Sequence, residues 1–284
     1  MKAIVVHGGA GAWNTEKLRE AKEVLEEAVL KGFDLLMSGR TVDACEEAIK
    51  VMEDSGVFNA GRGSVRTLDG YVETDASIMV SDGRAGAVGA VRGVKNPISL
   101  ARIVMERSRH TLIVGEGAER LKPERDNAGG SGAGDTVGCV VTDGEKVVAG
   151  TSTGGVRGKE RGRVGDAGII GAGTYASPEG GASATGDGDR IILVSLTFFV
   201  VLQMSAGLSP PQACRSGIDL LERRTGGRGG VIALNRRGEV GFAYNTPAMP
   251  GAYLRSGSRV FFFGFEVKEE EEEPQKWEKG HEKG

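Results

Sequence analysis

The sequence is poor in the residues that build metal centres and covalent frameworks. The chain has three cysteines, and no two of them form a Cys-x-x-Cys pair. They are Cys45, Cys139 and Cys214. This usage argues against a disulfide framework and against a zinc site, and it is typical of reduced thiols in the cytoplasm. The three histidines are too scattered along the chain to predict a metal cluster.

An excess of one charge and a long apolar run are also missing. The formal net charge is −3, so nothing indicates a nucleic-acid or membrane partner. The apolar run at residues 191–201 is too short to cross a bilayer, and the first residues predict a strand rather than a signal peptide. We therefore expect a soluble, cytoplasmic protein.

Glycine, by contrast, is abundant. The chain has 47 glycines, roughly twice the usual share of about 7%. They lie at predicted strand ends and turns and show no collagen period. This distribution predicts many tight loops around a shared site.

Helical and strand patterns alternate along the chain. Apolar residues at helical spacing predict helices at residues 15–38, from 41, from 97, at 191–205 and at 210–224. Apolar, valine-rich runs predict strands near residues 3–6, 71–80, 85–91, 137–142, 146–151, 231–234, 240–244 and 259–265. The pairs of strands and pairs of helices indicate two stacked sheets covered by helices on both outer faces. We expect a single domain over residues 1–267, followed by a disordered acidic tail at 268–284.

The most informative stretch is Asp135-Thr136-Val137-Gly138, which follows a glycine-rich segment and opens a strand. One interpretation is an ordinary loop that enters a strand. The other is a threonine delivered for catalysis, because breaking the peptide bond before Thr136 would place a hydroxyl nucleophile and an amine base on one residue.

Further candidates lie in glycine-flanked turns. Thr153 and Thr185 have the positions of turn or cap residues. Arg163 and Asp166 could be a surface pair of little energetic value, or a clamp in which the guanidinium binds a carboxylate and the aspartate binds an ammonium. Asp75, inside a predicted strand, is interpreted as a structural edge or turn group.

Taken together, these motifs resemble the plant-type L-asparaginase and isoaspartyl aminopeptidase family of N-terminal-nucleophile hydrolases. The motifs cover nearly the whole chain except the acidic tail. They are His7-Gly8-Gly9, Asn59-Ala60-Gly61, Asp135-Thr136-Val137-Gly138, Thr151-Ser152-Thr153-Gly154-Gly155, Gly162-Arg163-Val164-Gly165-Asp166, Thr185-Gly186-Asp187-Gly188 and Asn245-Thr246.

The resemblance implies an α+β fold, a four-layer αββα sandwich of the N-terminal-nucleophile type. It implies self-cleavage between Asp135 and Thr136 into residues 1–135 and 136–284, with Asn59, Gly8 and Gly9 supporting the scissile bond. Thr136 would be the nucleophile and Thr153 would orient it.

The resemblance also implies the remaining roles at the site. The Thr185 hydroxyl and the Gly186 N–H would form the oxyanion hole. Arg163 would bind the substrate carboxylate and Asp166 the ammonium, while Gly186 and Gly188 would let the backbone approach the substrate.

No organic cofactor is implied, but a structural sodium ion is. Its ligands would be the main-chain carbonyls of Met52, Glu53, Ser55, Phe58, Ala60 and Arg62. The implied substrates are asparagine and isoaspartyl dipeptides, without a preference between them, and the implied assembly is a homodimer of cleaved protomers. Two alternatives stay open, a threonine endopeptidase of the same family and a non-cleaving, non-catalytic relative that binds amino acids.

Overall fold

A computed structural model describes residues 1–121 and 136–266. The helices are α1 Thr15–Met37, α2 Thr41–Ser55, α3 Pro97–Arg107, α4 Gly115–Glu119, α5 Gly188–Val194, α6 Leu196–Ser205 and α7 Pro210–Thr225. The strands are β1 Ala3–His7, β2 Thr74–Val80, β3 Ala85–Val91, β4 Leu112–Val114, β5 Val137–Thr142, β6 Val147–Thr153, β7 Thr174–Ser177, β8 Gly180–Gly186, β9 Gly229–Asn235, β10 Val240–Tyr244, β11 Gly251–Arg255 and β12 Phe261–Phe263. Helices and sheets are mixed, which confirms the predicted α+β class.

The strands form two sheets. One has eight strands in the order β12-β11-β1-β5-β6-β2-β3-β4, and the other has four in the order β10-β9-β8-β7. All neighbours in the large sheet are antiparallel except β3 and β4. Side chains alternate between the two faces of a strand, so the buried strands of the large sheet contribute to two separate cores.

One core contains α1, α2 and α3 and one face of the large sheet, with Leu25, Ile49 and Val141 among its buried residues. A second contains α6, α7 and the small sheet. The third contains residues from both sheets, including Val140 and Ile232. Val140 and Val141 are consecutive in β5, yet Val140 lies in the core between the sheets and Val141 in the core with α1, α2 and α3.

The predicted helix at residues 191–205 is wrong in one respect, because the structure has two helices there. They meet at Ser195, whose φ is 48°, a conformation that non-glycine residues seldom adopt. The backbone N–H of Phe198 donates to Gly171 O at 2.9 Å, and that of Thr197 donates to Ala172 O. A neighbouring loop therefore satisfies the first donors of α6, a tertiary contact that the continuous apolar pattern conceals.

Several strands also differ from the prediction. The strand expected from residue 71 begins at Thr74, and the one expected at 259–265 is reduced to Phe261–Phe263. Strands β4, β7, β8 and β11 were not predicted; β8 consists of glycine, alanine, serine and threonine, residues with little strand preference apart from threonine.

Among the described residues, no single helix is long and apolar enough to cross a membrane. Together, α5 and α6 have the length and apolar composition of a membrane-spanning segment, but the two helices are bent by 41° at the break between them. The acidic tail predicted at 268–284 lies outside the described residues.

Candidate active site

The predicted nucleophile, Thr136, lies directly before β5, a central strand of the large sheet. Val137 pairs with Ser152 in the β5–β6 hairpin, so the same register places Thr136 opposite Thr153. On the other side of β6, Asp75 pairs with Thr153. Paired residues point to the same face of a sheet, and the three side chains therefore share the face that meets the small sheet.

Thr136 and Thr153 are joined by a hydrogen bond. The Thr136 hydroxyl donates to Thr153 Oγ1 at 3.0 Å, and both residues are buried. The N–H of Gly155 also donates to Thr153 Oγ1, at 3.0 Å. A hydroxyl oxygen has two acceptor positions and one hydrogen, so Thr153 is held by two donors and keeps its own hydrogen to donate.

Asn59 fixes the loop that follows Thr153. Its Nδ2 donates to Gly155 O at 2.6 Å, its Oδ1 accepts from Val65 N, and its main-chain oxygen accepts from Gly154 N at 2.8 Å. A Cβ added to Gly154 would lie 2.3 Å from Asn59 Oδ1. The predicted support residue therefore reaches the second threonine through one loop.

The predicted turn at Gly8 and Gly9 follows β1 of the large sheet and leads to a contact with the small sheet. A Cβ on Gly8 would lie 2.3 Å from the Phe58 ring, and Gly9 has a φ of 105°, so both positions require glycine. The next residue, Ala10, donates its N–H to Thr185 Oγ1 at 3.2 Å. This places the end of β1 against the predicted oxyanion-hole threonine.

Thr185 and Gly186 end β8 on the small sheet. Thr185 is fully buried, and because Ala10 occupies one of its lone pairs, its hydroxyl hydrogen remains available to a ligand. Gly186 has a φ of 126°, and a Cβ there would lie 2.4 Å from Gly229 Cα. Only glycine fits this position without strain.

His7 connects the two sheets behind Thr136, the predicted nucleophile. It is fully buried, and its Nε2 lies 3.1 Å from Ser183 Oγ. Ser183 continues the chain of polar contacts to Thr151 at 2.6 Å. Burial lowers the pKa of His7 from 6.5 to about 3, against a smaller opposing effect of the Thr136 backbone. His7 is therefore a neutral core histidine at pH 7.

The structure brings the predicted clamp residues together around Gly188, the first residue of α5. A Cβ placed on Gly188 would lie 2.6 Å from Asp166 Oδ1 and 3.0 Å from Arg163 Nη2. Asp166 is buried, while the Arg163 side chain retains 15% of its exposure. A carboxylate and a guanidinium thus flank a space kept open by the absence of a side chain.

Asp189 was not predicted as a site residue. Its carboxylate accepts from Arg163 Nη2 at 3.1 Å and from Nε at 3.4 Å, and its side chain is 73% exposed. Its position one residue after Gly188 was the only sequence signal. Asp75 and Lys159 are further unpredicted neighbours of this loop; Asp75 is a fully buried acid rather than an edge or turn group.

The predicted sodium loop follows α2. Met52, Glu53 and Ser55 belong to the end of this helix, and the other three positions lie in the connection to the 3-10 turn Gly61–Gly63 and in that turn. The Glu53 carboxylate accepts from Ile98 N and Asn96 Nδ2. The main-chain oxygen of Glu53 lies beside the turn, 2.8 Å from a Cβ placed on Gly61.

A second carbonyl, that of Phe58, lies 1.9 Å from a Cβ placed on Gly63. Carbonyl oxygens are suitable donors for a hard cation. No group of three or more histidine, cysteine or acidic side chains that could hold a metal occurs within residues 1–121 and 136–266. Asp135 lies outside the described residues.

Comparison with known proteins identifies the family. The asparaginase family model matches residues 1–129 and 122–261. A plant-type L-asparaginase of Pyrococcus abyssi is 43% identical over 90% of this chain and 97% of its own length. The chain belongs to the asparaginase family. An isoaspartyl peptidase/L-asparaginase of Xenopus laevis is 40% identical over 89% of this asparaginase-family chain and 92% of its own length. An isoaspartyl peptidase/L-asparaginase of Mus musculus is 37% identical over 89% of this chain and 88% of its own length.

The low pKa of His7 makes a prediction about acid stability. The unfolded chain takes up a proton near pH 6.5 that the folded chain takes up only near pH 3, so stability falls as the pH falls through this window. Where the unfolded chain binds one proton more than the folded chain, the free energy of unfolding changes by about 1.4 kcal/mol per pH unit. We expect His7→Gln to flatten the dependence of the unfolding free energy on pH between 6.5 and 4, measured by urea denaturation. NMR of labelled histidine gives an independent check, and a His7 ring that titrates near 6.5 contradicts the prediction.

Proposed function

We propose that this chain is a self-activating amidohydrolase that releases ammonia from L-asparagine and hydrolyses β-aspartyl dipeptides. The observation that supports it most directly is the buried hydrogen bond between the hydroxyls of Thr136 and Thr153, at the ends of two central strands of the large sheet. The relatives named as L-asparaginases and as isoaspartyl peptidase/L-asparaginases support the same substrates.

Activation begins with Thr136 as an internal nucleophile. Its hydroxyl oxygen attacks the carbonyl carbon of Asp135, the C–N bond breaks, and the acyl group passes to oxygen while the nitrogen becomes a free amine. Water then hydrolyses the ester and returns the hydroxyl. The products are residues 1–135, ending in a carboxylate, and residues 136–284, beginning with the Thr136 amine.

Turnover uses the freed amine as the general base. An α-amino group has a reference pKa of about 8, so a substantial fraction is neutral near pH 7 and can accept the hydroxyl proton. Thr136 Oγ attacks the side-chain carbonyl of the substrate, and ammonia or an amino acid leaves with the transferred proton. Water then cleaves the β-aspartyl ester to give aspartate.

Thr153 and Thr185 stabilise the charges that develop during these steps. When Thr136 loses its proton, the direction of the hydrogen bond changes, and the Thr153 hydroxyl donates its hydrogen to Thr136 Oγ1. Thr185 donates its own hydrogen to the oxyanion, together with the N–H of Gly186. Loss of one such donor typically costs about 10²–10³ in kcat.

Arg163 and Asp166 select the substrate. The guanidinium binds the α-carboxylate and the Asp166 carboxylate binds the α-ammonium, with Gly188 leaving the required space. Both proposed substrates carry these two groups and the same β-carbonyl, so the clamp accepts either one.

We place the reaction in the cytoplasm, supported by three buried free cysteines.

We further propose that the fold is a four-layer αββα sandwich of the N-terminal-nucleophile type, formed by a single domain over residues 1–267. The core shared by the two sheets supports this arrangement, as do the separate helix-facing cores on either side.

A sodium ion in the loop after α2 would stabilise the Asn59 region. The main-chain carbonyls of Glu53 and Phe58 fit this cation by their chemistry and by their approach to Gly61 and Gly63, and Met52, Ser55, Ala60 and Arg62 would supply the rest. Replacing sodium with tetramethylammonium at constant ionic strength is expected to lower the melting temperature. An unchanged melting temperature contradicts the sodium site.

Cleaved protomers are proposed to form a homodimer, without a nucleic-acid or membrane partner. The exposed side chains of Leu193, Phe198 and Leu202 on α5 and α6 support an apolar contact. Native mass spectrometry of the cleaved protein measures the assembly; monomers at micromolar concentration exclude it.

The nucleophile assignment is tested by Thr136→Ala and Thr136→Ser. We expect the alanine variant to remain one chain without activity, because both the attacking hydroxyl and the amine are lost. The serine variant keeps a hydroxyl and is expected to cleave. Intact mass and N-terminal sequencing of the wild type should give a fragment beginning Thr-Val-Gly. A chain that never cleaves supports the non-catalytic relative, and cleavage of a folded protein substrate supports the endopeptidase.

Asp189 is expected to compete with substrate for Arg163. An exposed ion pair is worth roughly 0–1 kcal/mol, so Asp189→Asn should lower KM about two- to fivefold with kcat little changed. Asp82→Asn, which removes an exposed acid paired with Arg84, is the matched control. A higher KM in Asp189→Asn would mean that Asp189 orients the arginine for binding instead.

A further inference from the structure

The loop that carries the clamp is attached to strand β2 by buried acids. Asp75 Oδ2 accepts from Gly165 N at 3.0 Å, one residue before Asp166. Glu73 Oε2 accepts from Gly162 N at 2.9 Å, one residue before Arg163. Each clamp residue therefore follows a backbone donor that is held by a carboxylate, one from Asp75 in β2 and one from Glu73, the residue just before that strand.

Asp75 is fixed from a second direction as well. Its Oδ1 accepts from Ala90 N at 2.8 Å, at a register shift in the pairing of β2 with β3. Ala90 has a φ of 51°, which is costly for a residue with a Cβ. The bulge directs this N–H at the carboxylate, so the position of Asp75 is determined by both strands.

Lys159 is the cationic partner of Asp75. Both side chains are completely buried, with Lys159 Nζ 3.9 Å from Asp75 Oδ2, and Nζ donates to Glu73 O at 2.9 Å. A Cβ placed on Gly155 would lie 2.7 Å from Lys159 Nζ and 3.2 Å from Arg163 Nη1. The ammonium and the guanidinium thus approach the same point, and Asp75 is a buried negative charge close to both.

The protonation equilibria of the pair reflect the same surroundings. Burial raises the pKa of Asp75 above its usual range, and the charges of Lys159 and Arg163 oppose this effect. Burial also lowers the pKa of Lys159, and the neighbouring positive charge of Arg163 contributes to the lowering. Each group would therefore lose stabilisation of its charge if the other were removed.

We propose that the buried Asp75–Lys159 pair positions the Arg163–Asp166 clamp and thereby sets the affinity for the substrate's α-carboxylate and α-ammonium groups. The inference rests on the proposed role of that clamp. Without Asp75, the charge of Lys159 repels Arg163 from its place. Without Lys159, Asp75 attracts Arg163 inward. Removing both charges restores the balance, although it does not restore the lost acceptor for Gly165 N–H.

The test measures Asp75→Asn, Lys159→Met and the double variant. We expect KM for L-asparagine and the Kd for L-aspartate to rise roughly tenfold or more in each single variant, with kcat within about threefold of wild type and self-cleavage complete. The double variant should recover part of the loss in affinity. Asp82→Asn, an exposed acid after the same strand, controls for a change in overall charge.

Two results overturn the proposal. One is a KM within twofold of wild type in Lys159→Met, which keeps every hydrogen bond to Asp75. The other is additive losses in the double variant, accompanied by lower melting temperatures and incomplete cleavage, which would indicate a purely structural pair. A wild-type enzyme that binds no L-aspartate would instead refute the clamp itself, so the two failures are distinguishable.

Discussion

The register of β5 against β6 is the constraint on which the candidate site depends. Side chains alternate along a strand, so a slip of one residue exchanges the two faces. Val141 and Val148 contribute to the helix-facing core, whereas Val140 and Val147 contribute to the core between the sheets. These two sets fix the register from both sides. The same alternation directs Thr136 and Thr153 toward the space between the sheets.

The space behind Thr136, the proposed nucleophile, is so narrow that it requires a glycine. A Cβ on Gly138 would lie 2.0 Å from Ser183 Oγ and 2.3 Å from His7 Nε2. The polar chain from His7 through Ser183 to Thr151 crosses between the sheets. A charged imidazole would be costly there, and its low pKa keeps it neutral. The site is therefore bounded at the back by buried neutral groups.

Much of the site could be predicted from sequence because its parts are local. Thr136 opens an obvious valine-rich strand, and the pairing with Thr153 follows if the predicted hairpin is extended by one residue before residue 137 and by two residues after residue 151. Arg163 and Asp166 are three residues apart in a glycine-bounded loop. Their convergence on Gly188 was not visible in the residues alone, because the two strands β7 and β8 that intervene were missed. Those strands are rich in small residues, which are selected by close packing between sheets rather than by intrinsic propensity.

Asp75 and Lys159 were missed for a different reason. An isolated acid in an apolar strand is usually structural, and its significance depends on a bulge in β3 and on a lysine far along the chain. The residues so brought together are two cations, Lys159 and Arg163, and two buried acids, Asp75 and Asp166, with the exposed acid Asp189 also paired with Arg163. An amino-acid backbone is itself a zwitterion, so such a site gains or loses no net charge when it is filled. In the proposed mechanism, recognition through these charges would not involve the leaving group, so one clamp would serve both an amide and a β-linked peptide.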